Sequence, residues 1–265
     1  MAQITCQGFF MSDENTTLTA KFYKIEKVTL SQLLEMHALF IQYYHNADLQ
    51  TFVQDMAKKT GIFILENKKT KEIAGFSTWN EIDIVYKKKR SLGVFSGDTV
   101  VDKRYWGDKA LQKAFVKRLF KLRMTRLDKD IYWLLISKGY KTYLLLANNF
   151  PKYYPHYKRD SSKLRSVVDH YCNEFYPQEY QHSKRLLDFG GEYQYLKGGV
   201  AEITDEMKLN NPKIKFFEDK NPSWREGTEL PCVGEVSLNM MWRFVRKNMS
   251  AVSFKTKLLS YGGLK

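Results

Sequence analysis

The sequence predicts an α+β domain: a mixed, mostly antiparallel sheet flanked by helices, with an irregular C-terminal extension. Three observations carry this. Apolar residues recur at helical spacing in some segments and alternate in others. Several apolar strands follow one another across brief polar turns, the spacing of hairpins. A strand then meets a long amphipathic helix at a tight basic corner, "SGDTVVDKRYWGDKAL". The hydrophobic fraction of 43% in 265 residues permits a buried core and excludes wholesale disorder.

Residues 1–20 read as a polar tail, and "LTAKFYKIEKV" alternates as a first strand. From Ser31, the N-cap by type, "SQLLEMHALFIQYYHN" carries one apolar helical face. "DLQTFVQDMAKKTG" is a second helix with Gly61 as its stop. "GIFILEN" is a short strand, "IAGFSTWNEIDIVYK" is one long strand or two, and "SLGVFSGDTVV" is another. After the corner, Leu111, Phe115, Leu119 and Leu122 mark the buried side of a helix, and Lys109, Lys113, Lys117 and Lys121 line the opposite side. "IYWLLISKG" reads as a strand and Tyr140 to Phe150 as a helix stopped by Pro151. Beyond "PKYYPHYKRDSS" the texture changes. Residues 164–187 are helical in pieces, the Asn-Pro steps of "NNPKIKFFEDKNPSWREGTELPC" suggest ordered loop, and "LNMMWRFVRKNM" is a helix. The expected division is a tail over 1–20, a core over 21–155 and an extension over 156–265.

The formal charge of +14 and pI near 9.4 favour acidic partners: an acidic carrier protein, an anionic membrane surface, phosphorylated cofactors or nucleic acid. Nucleic acid is the least favoured, since no RRM-like, KH-like or helix-turn-helix pattern accompanies the charge. The lysine side of the long helix suits an acidic carrier helix, or is simply solvated. The segment from Val236 to Lys265 mixes aromatics with cations in a way that suits anionic lipid. Cys6, Cys172 and Cys232 form neither a zinc spacing nor a disulfide framework, which points to a reducing, cytoplasmic setting. His37, His45, His156, His170 and His182 show no ligand spacing, so no metal is expected. No stretch reaches the ~18–20 apolar residues of a membrane helix; the chain reads as soluble or peripheral at a membrane.

The corner holds the chemistry. A helix N-terminus attracts phosphate through its unpaired N–H groups and dipole, and a strand ending beside it leaves backbone for an extended ligand. Asp98 interrupts the apolar strand; on a period of two it shares a face with Ser96 and Val100, placing a carboxylate to act as general base, or as a structural group. The strand, basic corner and helix, preceded by two helices and hairpin strands, resemble the GCN5-related N-acetyltransferase (GNAT) family. "VVDKRYWGDKAL" is similar to its V-x-x-x-Y-R-G-x-G-x-G segment, with Val101, Tyr105 and Gly107 in register. Trp106 stands for the family's arginine, and Lys109 and Leu111 for its second and third glycines, where they are expected to crowd a pyrophosphate.

The resemblance implies acyl transfer from a pantetheine thioester, acyl-CoA or an acyl carrier protein, to an amine or hydroxyl. It implies that Val100 and Val101 pair with the pantetheine arm, that one of their N–H groups polarises the thioester carbonyl, and that Arg104, Trp106, Gly107, Asp108 and Lys109 surround the phosphates. Asp108 is alternatively a helix cap. Tyr153 and Tyr154 stand near the family's acid tyrosine, and otherwise pack. The rival reading is a non-catalytic basic module for a membrane surface, RNA or an acidic protein.

Overall fold

The computed structural model describes residues 17–86, 88–190, 197, 202–244 and 246. β1 (Leu18–Lys24) leads to α1 (Leu30–Phe40), α2 (Leu49–Ala57), β2 (Gly61–Asn67), β3 (Ile73–Tyr86), β4 (Lys89–Ser96) and β5 (Thr99–Val101). Past the corner come α3 (Ala110–Thr125), β6 (Asp130–Ser137), α4 (Tyr140–Asn149) and β7 (Tyr153–Tyr154). The rest of the chain supplies α5 (Ser162–Phe175), the small hairpin β8 (Tyr180–Gln181) and β9 (Leu186–Leu187), α6 (Asp205–Asn210), α7 (Pro212–Lys220) and β10 (Leu230–Glu235).

The main sheet runs β1-β2-β3-β4-β6-β10-β7, with β5 continuing along β3. Every pairing in it is antiparallel except β4 with β6. A parallel pair needs a crossover, and α3 provides it. Alternation sorts the side chains onto two faces. Phe63, Leu65, Trp79, Val94, Trp133 and Leu135 pack under α3 and α4 with Phe115, Leu119, Tyr143 and Leu146. On the other face Ile62, Ile64, Phe76 and Val100 meet Met36, Phe40 and Phe52 of α1 and α2. Further along that face Tyr132, Leu134 and Val233 meet Val167, Val168 and Tyr171 of α5. Two helical layers thus share the second face and leave a seam between them.

Several local readings change. α1 starts a turn-fraction earlier than Ser31: Thr29 is the N-cap, in a capping box with Gln32. Gly61 does not end α2; it opens β2, where a Cβ would run into the Phe22 ring and the Tyr23 carbonyl oxygen. The Asn-Pro step at 211 starts α7, because Asn211 caps it and Pro212 occupies the first turn, where a missing N–H costs nothing. The boundary at 155 is also revised. β10 comes from the expected extension yet lies inside the sheet, between β6 and β7, so residues 156–229 form an insertion between two sheet strands. No described helix is long and apolar enough to cross a membrane.

Candidate active site at the split in the sheet

β4 and β6 pair from Ser91↔Asp130 to Ser96↔Leu135, and there they part. Beyond that point the chain of β4 continues as β5, but only along β3. The break has a local cause. Between Asn80↔Phe95 and Ser77↔Thr99, β3 advances three residues while its partner advances four. That extra residue is a β-bulge at Gly97–Asp98. Thr78 pins it: its Oγ1 accepts from Gly97 N at 3.1 Å, and its N–H donates to the Asp98 carbonyl at 3.0 Å.

The bulge corrects the expected face. Ser96 does not share a face with Asp98; its Oγ accepts from Trp133 Nε1 at 2.7 Å, on the α3–α4 side. Asp98 instead shares the α1–α2 face with Val100, above the seam. The ladder decides which backbone groups are open. Thr78 N bonds Asp98 O, and Asp102 N bonds Ala74 O. In an antiparallel pair bonded positions alternate, so Val100 turns its N–H and carbonyl toward β3. Val101 turns its own toward the split, and of the two valines it is the one available to a ligand.

The structure gathers a cluster here that the sequence pattern does not signal. Glu229, just before β10, is buried, and its carboxylate lies 3.5 Å from Lys138 Nζ, just after β6. Lys138 also lies 5.2 Å over the ring of Tyr44, which follows α1. Burial drives the pKa of Glu229 up to about 7; Lys138 opposes the rise and Asp98 adds to it. Burial, with the charges of Asp98 and Glu229, holds the Tyr44 phenol well above its ordinary value. Tyr176, at the end of α5, is raised by burial and by the same two carboxylates among others. Two carboxylates, an ammonium and two phenols therefore share one electrostatic neighbourhood at the end of the split. β6, β10 and the ends of α1 and α5 bring them together, and these elements are distant in sequence.

The corner beside the split is built differently from expectation. Arg104 donates to Asp102 and Glu72, both at 2.7 Å, and so is engaged by two carboxylates. Asp102, whose pKa is lowered chiefly by the Arg104 hydrogen bond, caps the short turn through Arg104 N. Asp108 Oδ1 accepts from Ala110 N at 2.7 Å, so it caps the start of α3, where a phosphate was expected. Leu111 turns into the core and does not crowd the corner. Gly107 takes φ +95°, a conformation natural to glycine. Lys109 is the residue before α3 and makes no side-chain cap. Trp106 is 48% exposed; its Nε1 donates to the Val101 carbonyl at 2.8 Å, and Lys141 Nζ lies 3.8 Å over its ring. Trp106 thereby ties β5 to the start of α4 across the mouth of the split.

Tyr153 and Tyr154 are not at the split. They pair with Gly234 and Val233 of β10, two residues and one residue along from Cys232, which faces Leu135 where β4 and β6 part. The separation is sideways: β7 stands two strands from β6, about 10 Å across the sheet. Cys172 and Cys232 are free and buried, and burial pushes both thiols up, away from nucleophilic use. Among the described residues no three of His, Cys, Asp and Glu gather as a metal site.

The fold is the α+β arrangement that the order of elements implies: a largely antiparallel sheet flanked by helices, split where a single parallel pair parts. No family model matches the sequence, and no curated protein matches it. Solved structures similar in chain path include a conserved protein from Enterococcus faecalis V583 described as a probable N-acyltransferase, at 15% identity and TM-score 0.39, over 51% of this chain and 33% of that one. A GNAT family N-acetyltransferase from Escherichia coli in complex with CoA is similar at 12% identity and TM-score 0.34, over 47% and 66%. Saccharomyces cerevisiae N-myristoyltransferase with bound myristoyl-CoA is similar at 14% and 0.34, over 45% and 31%. The chain thus spans about a third of the first and third of these proteins and about two thirds of the second.

Proposed function

We propose that this protein transfers an acyl group from a pantetheine thioester, acyl-CoA or an acyl carrier protein, to an amine or hydroxyl acceptor at the split. The observation that supports this best is the bulge at Gly97–Asp98, which opens the strand edge at Val101 and turns Asp98 toward Glu229, Lys138 and Tyr44. The donor's extended arm lies along β5, with the thioester oxygen accepting from Val101 N–H. The acceptor enters along the seam. Glu229, with a pKa near neutrality, takes its proton, directly or through Asp98 and a water. The acceptor bonds to the carbonyl carbon, the carbon–sulfur bond breaks and the thiolate leaves. The proton held by Glu229 passes to sulfur, directly or through a water, while the Tyr44 hydroxyl, which stays protonated, donates a hydrogen bond to the leaving thiolate. Orientation supplies much of the rate, with ~7–11 kcal/mol available from aligned reactants.

Trp106 must release the Val101 carbonyl before an arm can pair there. That bond and the Asp108 cap favour the rival reading, a non-catalytic basic module. Calorimetric titration with acetyl-CoA, a long-chain acyl-CoA and an acyl carrier protein separates the two, run on the native chain and on Trp106→Ala. Binding by at least one donor, with thiol release on adding amines, supports transfer. Silence toward all donors by both proteins, together with salt-sensitive binding to RNA or anionic vesicles, rejects it.

A further inference from the structure

A second concavity lies away from the split, at the far end of α4. It encloses about 420 Å³ between the last turn of α4, residues 150–159, the start of α7 and the helical segment that follows β10. A space of that size falls in the range of small-molecule sites. His156, Lys158, Arg159, Lys213 and Arg243 line it, and no carboxylate does. Elsewhere in the molecule cations sit beside acids, as Arg225 does with Glu202 and Glu218. Among the described residues no ion pair engages Lys158, Arg159 or Arg243. Lys213 is committed otherwise: it donates to the Ala147 carbonyl at 3.0 Å and to Asn148 Oδ1 at 2.6 Å, covering the negative end of α4.

The hydrogen bonds in the wall set two donors side by side. His156 Nδ1 accepts from Lys158 N at 3.0 Å and Arg159 N at 3.2 Å, so any ring proton is on Nε2. That Nε2 lies 3.5 Å from Arg159 Nη2. Both atoms are donors and neither can accept from the other. Nearby, the Tyr153 hydroxyl is buried beside the Tyr143 hydroxyl, which donates to the Pro155 carbonyl. An oxyanion between Arg159 and His156 would accept from both donors. The floor has an apolar side, from Phe150, Phe244 and the stacked rings of His156 and Tyr157, 5.2 Å apart at 17°.

We propose that this concavity binds a phosphomonoester, with Arg159, His156 and Arg243 on the phosphate and the aromatic wall against the body that carries it. The phosphate belongs to a soluble ring compound or to a lipid headgroup, and the probes distinguish these. The inference is independent of acyl transfer, because none of its groups lies at the split and its readout is binding alone.

The test is titration of the full chain with AMP, with adenosine, and with phosphatidylcholine vesicles with and without phosphatidic acid. Each is repeated on Arg159→Gln/Arg243→Gln. Both arginines are exposed, so the variant should keep its melting temperature, and Lys121→Gln serves as a charge control. The expected result is binding of AMP, or of the phosphatidic acid vesicles, that weakens about tenfold or more in the double variant and not in the control. AMP binding assigns a soluble ligand and vesicle binding alone assigns a lipid. Adenosine binding as tightly as AMP, equal affinity in native and double variant, or no binding of either phosphate probe at millimolar concentration overturns the proposal.

Discussion

At the scale of single residues, the split assigns work to a group that no motif marks. Glu229 has the proton affinity of a base suited to neutral pH, because burial raises it and only Lys138 restrains the rise. Turnover should therefore climb with pH through about 7 as Glu229 loses its proton. Glu229→Gln should lower turnover by about 10²–10⁴-fold and abolish that limb, the range for losing a general base. Asp98→Asn should also lower turnover while leaving donor affinity close to native. A pH–rate profile that keeps its limb in Glu229→Gln would move the base to Asp98, and unchanged turnover in both variants rejects the carboxylate mechanism. Trp106 gives the opposite sign. Its hydrogen bond to Val101 and the Lys141 contact are together worth about 1–2 kcal/mol. Trp106→Ala should thus tighten acetyl-CoA binding about tenfold, as calorimetry would read. Equal or weaker binding would make Trp106 part of the donor site instead of its obstruction.

At the scale of elements, the split depends on β5 staying on β3 after the bulge. Gly75 permits this. A Cβ there would lie 2.7 Å from the Val100 carbonyl oxygen and 3.1 Å from the Val101 Cα, contacts with backbone that cannot rotate away. Gly75→Ala should push β5 off its partner, costing about 1–3 kcal/mol by analogy with overpacked cores. It should also lose donor binding together with stability, which denaturant unfolding and titration would show. Native affinity in a destabilised Gly75→Ala would mean that β5 does not position the donor.

These elements also show what the sequence disclosed. The strands and helices up to Phe150 were legible, because alternation and helical spacing are local signals and the residues obey them. The bulge was not: a single added residue leaves composition and periodicity almost unchanged, so Ser96 and Asp98 appeared to share a face. Asp98 could be found because a carboxylate in an apolar strand is conspicuous. Glu229 could not, since its meaning comes from β10 inserting beside β6 across some ninety residues of chain (Ser137 to Leu230). Tyr153 and Tyr154 were misplaced for the same reason, their distance from the split being set by pairing with β10. Arg104 and Asp108 drew attention as phosphate neighbours through their place in the corner, whereas short-range partners engage them: Asp102 holds Arg104, and Asp108 takes the capping role that was its alternative.

At the scale of the whole molecule, a buried carboxylate with a raised pKa leaves a signature in stability. Folded Glu229 holds its proton to about pH 7, and its ordinary value is 4.5. Between those values the folded chain binds a proton that the unfolded chain has lost. Its contribution is present in full below the lower value and is lost as pH rises through the upper one, a change of about 3 kcal/mol. Asp102 acts the other way: its pKa is depressed, chiefly by Arg104, so its contribution is present above about 3.8 and is lost on further acidification through its folded value. Stability should therefore decline between pH 5 and 8, the reverse of what paired surface acids produce. The net charge of +14 shapes the background, since self-repulsion changes with pH in every variant alike. The comparison with Glu229→Gln removes that background, because the amide has no proton to lose. Urea unfolding at steps from pH 5 to 8 should show native stability falling relative to the variant, with the gap closing toward the acid end. A native-to-variant difference that does not move with pH would mean water reaches Glu229, and a carboxylate in contact with water would lose the neutral proton affinity on which its role at the split depends.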